Sequence, residues 1–235
     1  MRRRSPFASR LVRTGDASGT PALEGDLRDA ILTGDQQPGT PIPIDEVAAF
    51  FGVSPIPVRE ALRTLLAEGL VEHRPHVGYS VAKLTFSEFR ELYDVRQALE
   101  SAALRAAAAG AADVRHVQEI RAVHEQLGVA IERGDDRAYD AAARRFHLAL
   151  IAASGMRRLV KMYESAWNIT EPARPMSRVP DHERAALHAD HERMVEAFVA
   201  RDAARLIAES DGHYARLRTA ISRFADDPEC FADPA

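Results

Sequence analysis

Three histidines in the second half of the chain, His147, His191 and His213, fall on the apolar stripes of three different predicted helices. His147 shares a face with Ala143, Leu150, Ile151 and Ser154, His191 with Met194, Val195 and Phe198, and His213 with Leu206, Ser210 and Leu217. Each imidazole therefore points inward, where a polar ring is costly to bury without a partner. One divalent metal ion would serve all three rings, and three imidazoles are a known zinc donor set. A polar cavity that binds an effector directly, or a vestigial site, would show the same pattern. The remaining histidines, His73, His76, His116, His124, His182 and His188, show no such convergence. A second constellation lies earlier. Arg59 and Arg63 stand one turn apart on the non-core face of a short predicted helix, and its cationic start suits DNA phosphates or guanine edges.

The elements that must carry these residues can be read from periodicity. Ile44, Val47, Ala48 and Phe51 predict an amphipathic helix broken by Gly52-Val53-Ser54. A second stripe, Val58, Ala61, Leu62, Leu65 and Leu66, ends at Gly69, which completes a helix-turn-helix layout. Pro57 suits the first helical position and Ile56 the cap, with Ser54 a competing cap. Leu70–Glu72 and Tyr79–Val81, joined through Arg74-Pro75-His76-Val77-Gly78, read as a β-hairpin, a wing with Arg74 and His76 at its tip. Upstream, Thr20-Pro21 opens a helix carrying Leu23, Leu27, Ala30 and Ile31 that closes at Gly34, followed by a proline-rich loop from Gln36 to Pro43. Met1 to Thr20 holds Arg2-Arg3-Arg4, Arg10 and Arg13 with no apolar run behind them, so it is expected to be a flexible arm rather than a secretory signal.

From Phe86 onward the pattern is helical. The expected spans are 86–109, 113–133, 136–153, 157–170, 181–200 and 202–224, with breaks at Gly110, Gly134-Asp135, Ser154-Gly155 and Pro172 to Pro180. Only the junction at Arg201-Asp202 lacks a strong breaker. Helices joined by short loops pack as antiparallel neighbours. The expected fold is mainly α: a winged helix-turn-helix over 21–82, an all-α antiparallel bundle over 86–225, and a disordered tail over 226–235. A chain of 235 residues with 46% hydrophobic and 28% charged residues is a globular composition without a visible membrane span. The single cysteine, Cys230, excludes an internal disulfide and fits a reducing cytoplasm. A net charge of −4 argues against indiscriminate coating of nucleic acid but leaves room for a local basic reading face.

The run GVSPIPVREALRTLLAEGLVEHRPHVGYSV resembles the winged-helix signature of the GntR superfamily of bacterial transcription regulators, with PVREAL its most specific part. The resemblance implies a DNA-binding regulator, expected to be a repressor, that acts as a homodimer on a palindromic operator. Carried over by position, its DNA-contacting set falls on Ser54, Arg59 and the wing residues Arg74, His76 and Gly78. Many members have an Arg-Thr pair where this chain has Pro55-Ile56, so their base preference does not transfer. The pieces LYDVRQALE, RRFHLALIAASG, DHERMVEAFVARD and DGHYARLR resemble the FCD ligand-binding domain of the FadR subfamily. That resemblance implies a zinc-, nickel- or manganese-like ion held by one Asp and three His beside a small organic acid or sugar-acid effector. The histidines correspond to His147, His191 and His213, but the Asp position is Ala143, and Asp140 is two turns from His147. Arg96 matches an arginine that often grips the effector's carboxylate; an i,i+4 pair with Glu100 is the plainer alternative. Trp167 and Asn168 could line a cavity wall or belong to the core.

Two other functions fit parts of the pattern. A metal-dependent enzyme could use the three histidines to activate water. Against it, there is no HExxH, no paired carboxylates near the histidines and no nucleophile elbow, and the winged helix would be unexplained. A DNA-binding regulator that has lost ligand control is the other, motivated by Ala143.

Overall fold

The structure, a computed structural model, describes residues 5–13, 20–33, 36–110 and 114–233. The Arg2-Arg3-Arg4 cluster, the helix stop at Gly34 and the helix start at Asp113 lie outside the described residues. The chain forms two compact units, one of Met1–Ser87 with Asn168–Ala173 and Asp226–Ala235, the other of Glu88–Trp167 with Arg174–Ala225.

In the first unit, α1 (Pro6–Ser9) and α2 (Thr20–Leu32) precede β1 (Pro41–Ile42), α3 (Ile44–Phe51), α4 (Pro55–Ala67), β2 (Val71–Arg74) and β3 (Gly78–Val81). Gly52 ends α3 in the left-handed region at φ 67°, its N–H bonding Ala48 O, and so turns the chain tightly into α4. Helix α4 begins two residues before the expected start. Ser54 is its cap and Pro55 its first residue, so both Pro55 and Pro57 occupy the first turn, where missing N–H groups break no helical bond. Val58, Ala61, Leu62 and Leu65 are buried against Leu27, Ile31, Val47 and Val81. Arg28 of α2 ties this helix down from outside, its guanidinium 2.7 Å from Glu68 and 2.8 Å from Glu24.

The sheet has one strand more than the expected hairpin. Antiparallel β2 and β3 pair in the register Val71↔Val81 and Arg74↔Gly78. Pro41 and Ile42, expected in a loop, add an edge strand to β3, giving the order β1-β3-β2. Proline is tolerated there because an edge strand need not donate on its outer side.

Both termini depart from expectation. Phe7 and Leu11 of the supposed flexible arm belong to the winged-helix core, Ala8 is buried, and Ser5 N–H bonds Glu46 at 2.7 Å. The supposed disordered tail is also packed: Cys230 and Phe231 are buried, the Phe231 ring meets Phe86 edge-on at 5.3 Å, and Ala232 N–H bonds Leu84 O at 2.8 Å. Prolines and aspartates suggested disorder, but two apolar side chains suffice to anchor a short segment. Phe231→Ala should therefore destabilise the protein by about 3 kcal/mol, read as a shift in the urea unfolding midpoint; an unchanged midpoint would show the segment to be ornamental.

The second unit is helical, built from most of α5 (Phe86–Ala109), α6 (Val114–Arg133), α7 (Asp136–Ala152), most of α8 (Arg157–Thr170), a 3-10 turn at Pro175–Arg178, α9 (Asp181–Val199) and α10 (Ala203–Ser222), while the end of α8 and the 3-10 turn at Glu171–Ala173 belong to the first unit. Helix α6 packs on α7 and α9, and α9 on α10. The junction without a breaker is made by Arg201 in the left-handed region at φ 56°, followed by Asp202, whose carboxylate caps α10 by accepting from Arg205 N–H at 2.9 Å.

Candidate functional site

Helix α4 shows the solvent a single stripe. Ile56, Arg59, Glu60 and Arg63 are exposed in helical register, opposite the buried Val58, Ala61, Leu62 and Leu65. Neither Arg59 nor Arg63 has a carboxylate partner among the described residues. Ser54 is exposed at the cap. In the wing, Arg74 is largely exposed, 3.5 Å from Glu72. His76 sits in the left-handed region at φ 63° and Gly78 at φ 110°, which shapes the hairpin tip. All six residues expected at the DNA face thus lie on α4 with its cap and on one wing of the same unit. Glu60 adds a carboxylate to that face.

In the helical unit, His147 of α7, His191 of α9 and His213 of α10 converge. One potential ligand nitrogen of each lies within 4.8 Å of the others, and all three residues are buried. His191 stands 4.5 Å from His213 and 5.2 Å from His147, centroid to centroid. Ala143 is core beside them, and Asp140 is drawn instead towards Arg174 at 3.7 Å.

Two carboxylates do reach the histidines, contrary to the sequence expectation. Glu100 is fully buried and, far from making a surface i,i+4 pair, accepts four hydrogen bonds. His147 Nδ1 lies 2.8 Å from its Oε2, Tyr163 Oη donates at 2.7 Å, Tyr214 Oη at 3.1 Å, and Ser210 Oγ donates to Oε1 at 2.8 Å. Burial works to raise the Glu100 pKa, but the adjoining His147 and the hydroxyl donors prevail and hold it at about 2. Asp190 lies beside His213, its Oδ2 3.6 Å from His213 Nδ1, close enough for charge attraction but not for a hydrogen bond, and is itself held by Arg216 at 3.0 Å and by Arg193. The Glu100 carboxylate on His147 Nδ1 fixes the tautomer of that ring and turns its Nε2 towards a ligand. Burial, together with the neighbouring histidines, depresses the His191 pKa well below its ordinary value, so that ring is neutral, as a metal ligand must be. Both His191 nitrogens are buried with no hydrogen-bond partner among the described residues. Orphaned nitrogens on a neutral ring, beside the oriented His147 and the buried His213, fit a divalent ion.

Arg96 is buried, its guanidinium 3.4 Å above the Trp167 ring and 4.5 Å from that of Tyr93. Trp167 also faces His147 at 5.6 Å, so one indole walls both the arginine and the histidine cluster. Two histidines read as scattered are in fact adjacent: His124 of α6 and His188 of α9 stack at 4.3 Å with an interplanar angle of 10°. Glu100 and Asp190 were missed because a carboxylate near polar neighbours in sequence reads as a surface ion pair. The available signals were Glu100 lying one turn beyond Arg96 and Asp190 adjoining His191.

A winged helix-turn-helix with a free cationic face, together with a helical unit enclosing a polar cluster, defines a DNA-binding regulator with a sensory domain. Comparison with known proteins agrees. Residues 21–81 match the family of bacterial regulatory proteins described as gntR family, and residues 91–216 match the FCD domain. A "Probable D-xylose utilization operon transcriptional repressor" of Paenarthrobacter nicotinovorans is 36% identical over 68% of this chain and 67% of its own length. The transcriptional repressor RspR of Escherichia coli K12 is 40% identical over 41% of this chain and 42% of its own. The solved structure of Escherichia coli McbR/YncC superposes with a TM-score of 0.77 at 23% identity, covering 88% of this chain and 98% of that one, and so shares the fold. The chain belongs to the GntR family of transcriptional regulators with a C-terminal FCD domain. It is a DNA-binding regulator and not an enzyme. No helix among the described residues is long and apolar enough to cross a membrane.

Proposed function

We propose that the chain is a repressor whose operator affinity is set by a small organic acid or sugar acid bound in the helical unit, beside a divalent ion held by His147, His191 and His213. The orphaned, neutral His191, grouped with His213 and the Glu100-oriented His147, is the observation that carries this reading. A zinc, nickel or manganese ion there supplies a Lewis-acid centre for an effector oxygen. Arg96 supplies the complementary charge, since a guanidinium fork matches a carboxylate in two parallel hydrogen bonds. Its stacking on Trp167 and Tyr93 fixes the orientation of that fork. Glu100 and Asp190 replace no metal ligand in this scheme; Glu100 holds the His147 ring in the ligating tautomer, and Asp190 places a negative charge beside His213.

At the other end, Ser54, Arg59, Arg63, Arg74, His76 and Gly78 form the operator-facing set, α4 entering the major groove. Two copies related by a two-fold axis would address a palindrome with half-sites about one helical turn apart. An effector changes operator affinity only to the extent that it binds one conformational state better, typically by about 1–3 kcal/mol.

Elemental analysis of protein purified without chelator should find one divalent ion per protomer, and His191→Ala should abolish it. Titration of organic acids against operator binding should then single out one that releases DNA, and chelation should blunt its effect. Protein that retains no ion, and whose DNA binding ignores chelator and every acid tried, would instead be a regulator without ligand control.

A further inference from the structure

The exposed stripe of α4 is not purely ionic. Ile56 is 65% exposed in the first turn, in line with Arg59, Glu60 and Arg63 at the i, i+3, i+4 and i+7 positions. Its side chain takes no part in the winged-helix core, which the opposite face of the helix fills with Val58, Ala61, Leu62 and Leu65. Its backbone is unusually constrained, because Pro55 and Pro57 flank it with fixed φ angles. Its branched Cβ also restricts χ1. A large apolar group is therefore held out to water with little entropy left to lose on contact. Stability does not account for that arrangement, but a docking surface does.

The rest of the stripe identifies what docks. Two arginines without carboxylate partners among the described residues answer phosphate oxygens or guanine O6 and N7, and the Glu60 carboxylate answers the N4 amino group of cytosine. Among the groups that duplex DNA displays in its major groove, the apolar one is the 5-methyl of thymine. We propose that Ile56 is a base-reading residue that packs on the 5-methyl group of a thymine beside the base pair met by Arg59. Each operator half-site then contains a position at which the methyl group itself contributes to affinity. This deepens, and rests on, the reading of α4 as the DNA-reading helix.

The experiment needs only the full chain and synthetic DNA. Sequences retained from a random duplex pool supply the operator. Each thymine is then replaced singly by deoxyuridine, which keeps the pairing and removes only the methyl. One such replacement per half-site should weaken wild-type binding about fourfold, the worth of one buried methyl group. The penalty should persist in Ile56→Val and vanish in Ile56→Ala, both with unchanged melting temperature because the site is exposed. If no deoxyuridine position affects the wild type, or if Ile56→Ala shows the same penalty, the assignment to Ile56 is overturned while DNA reading by α4 stands. If no sequence is retained from the pool, the DNA-binding reading itself fails, and this inference with it.

Discussion

Arg59→Ala should lower operator affinity about 100-fold while leaving the melting temperature where it was. Arg59 is exposed, makes no ion pair among the described residues and lies on the stripe that excludes the core. Its removal therefore costs the fold nothing and DNA binding a great deal. A bidentate arginine–guanine contact is worth about 1–3 kcal/mol, and a two-fold dimer loses it at both half-sites. Arg59→Lys should recover only part of the loss, since an ammonium cannot reproduce the planar fork. Fluorescence anisotropy with the selected operator and with a scrambled duplex separates base reading from phosphate attraction. If Arg59 touches only phosphate, the two duplexes weaken alike and the salt slope drops by about one per contact. Wild-type affinity in Arg59→Ala would remove α4 from the interface.

Glu100→Ala should be the most damaging single change in the helical unit. It strips four donors, His147, Tyr163, Tyr214 and Ser210, of a common acceptor, in a unit that also buries the Arg96 guanidinium. Breaking a buried ionic network in this way costs about 3–5 kcal/mol. Glu100→Gln keeps the shape and should fold, yet it removes the charged acceptor that faces His147 Nδ1. Metal affinity should then fall about 10- to 100-fold, measured by competition with a chromogenic chelator. In metal-free protein the same carboxylate sets an acid limit. Its pKa of about 2 in the fold, against an ordinary 4.5, means that the folded state favours the ionised form. The resulting stability is complete above about pH 4.5 and is lost as the pH falls towards 2. The difference corresponds to about 3 kcal/mol. Glu100→Gln should flatten that part of the stability profile, and a variant with the wild-type acid limb would place the titrating group elsewhere.

Much of the architecture was legible from periodicity. The stripes of α3 and α4 and of the six later helices carry apolar residues at helical spacing, and glycine, proline or aspartate marks most of their ends. Boundaries slipped where three punctuating residues competed. Ser54, Pro55 and Pro57 each suit a helix start, and the structure uses the first as the cap and takes both prolines into the first turn. The ends of the chain were misread for a different reason. Local composition around Phe7 and Phe231 is polar or turn-rich, but a single buried aromatic ring outweighs it.

Helical phase alone was enough to turn His147, His191 and His213 inward and Arg59 and Arg63 outward, because 3.6 residues per turn set direction relative to an apolar stripe whatever the helix later packs against. Phase says nothing about the distance between stripes on different helices. Only packing could bring Glu100 of α5 to His147 of α7, Asp190 of α9 to His213 of α10, and His124 against His188. A carboxylate at a helix position reads the same on paper whether it faces water or four buried donors; the neighbours that decide between those two states lie 47 to 114 residues away in the chain.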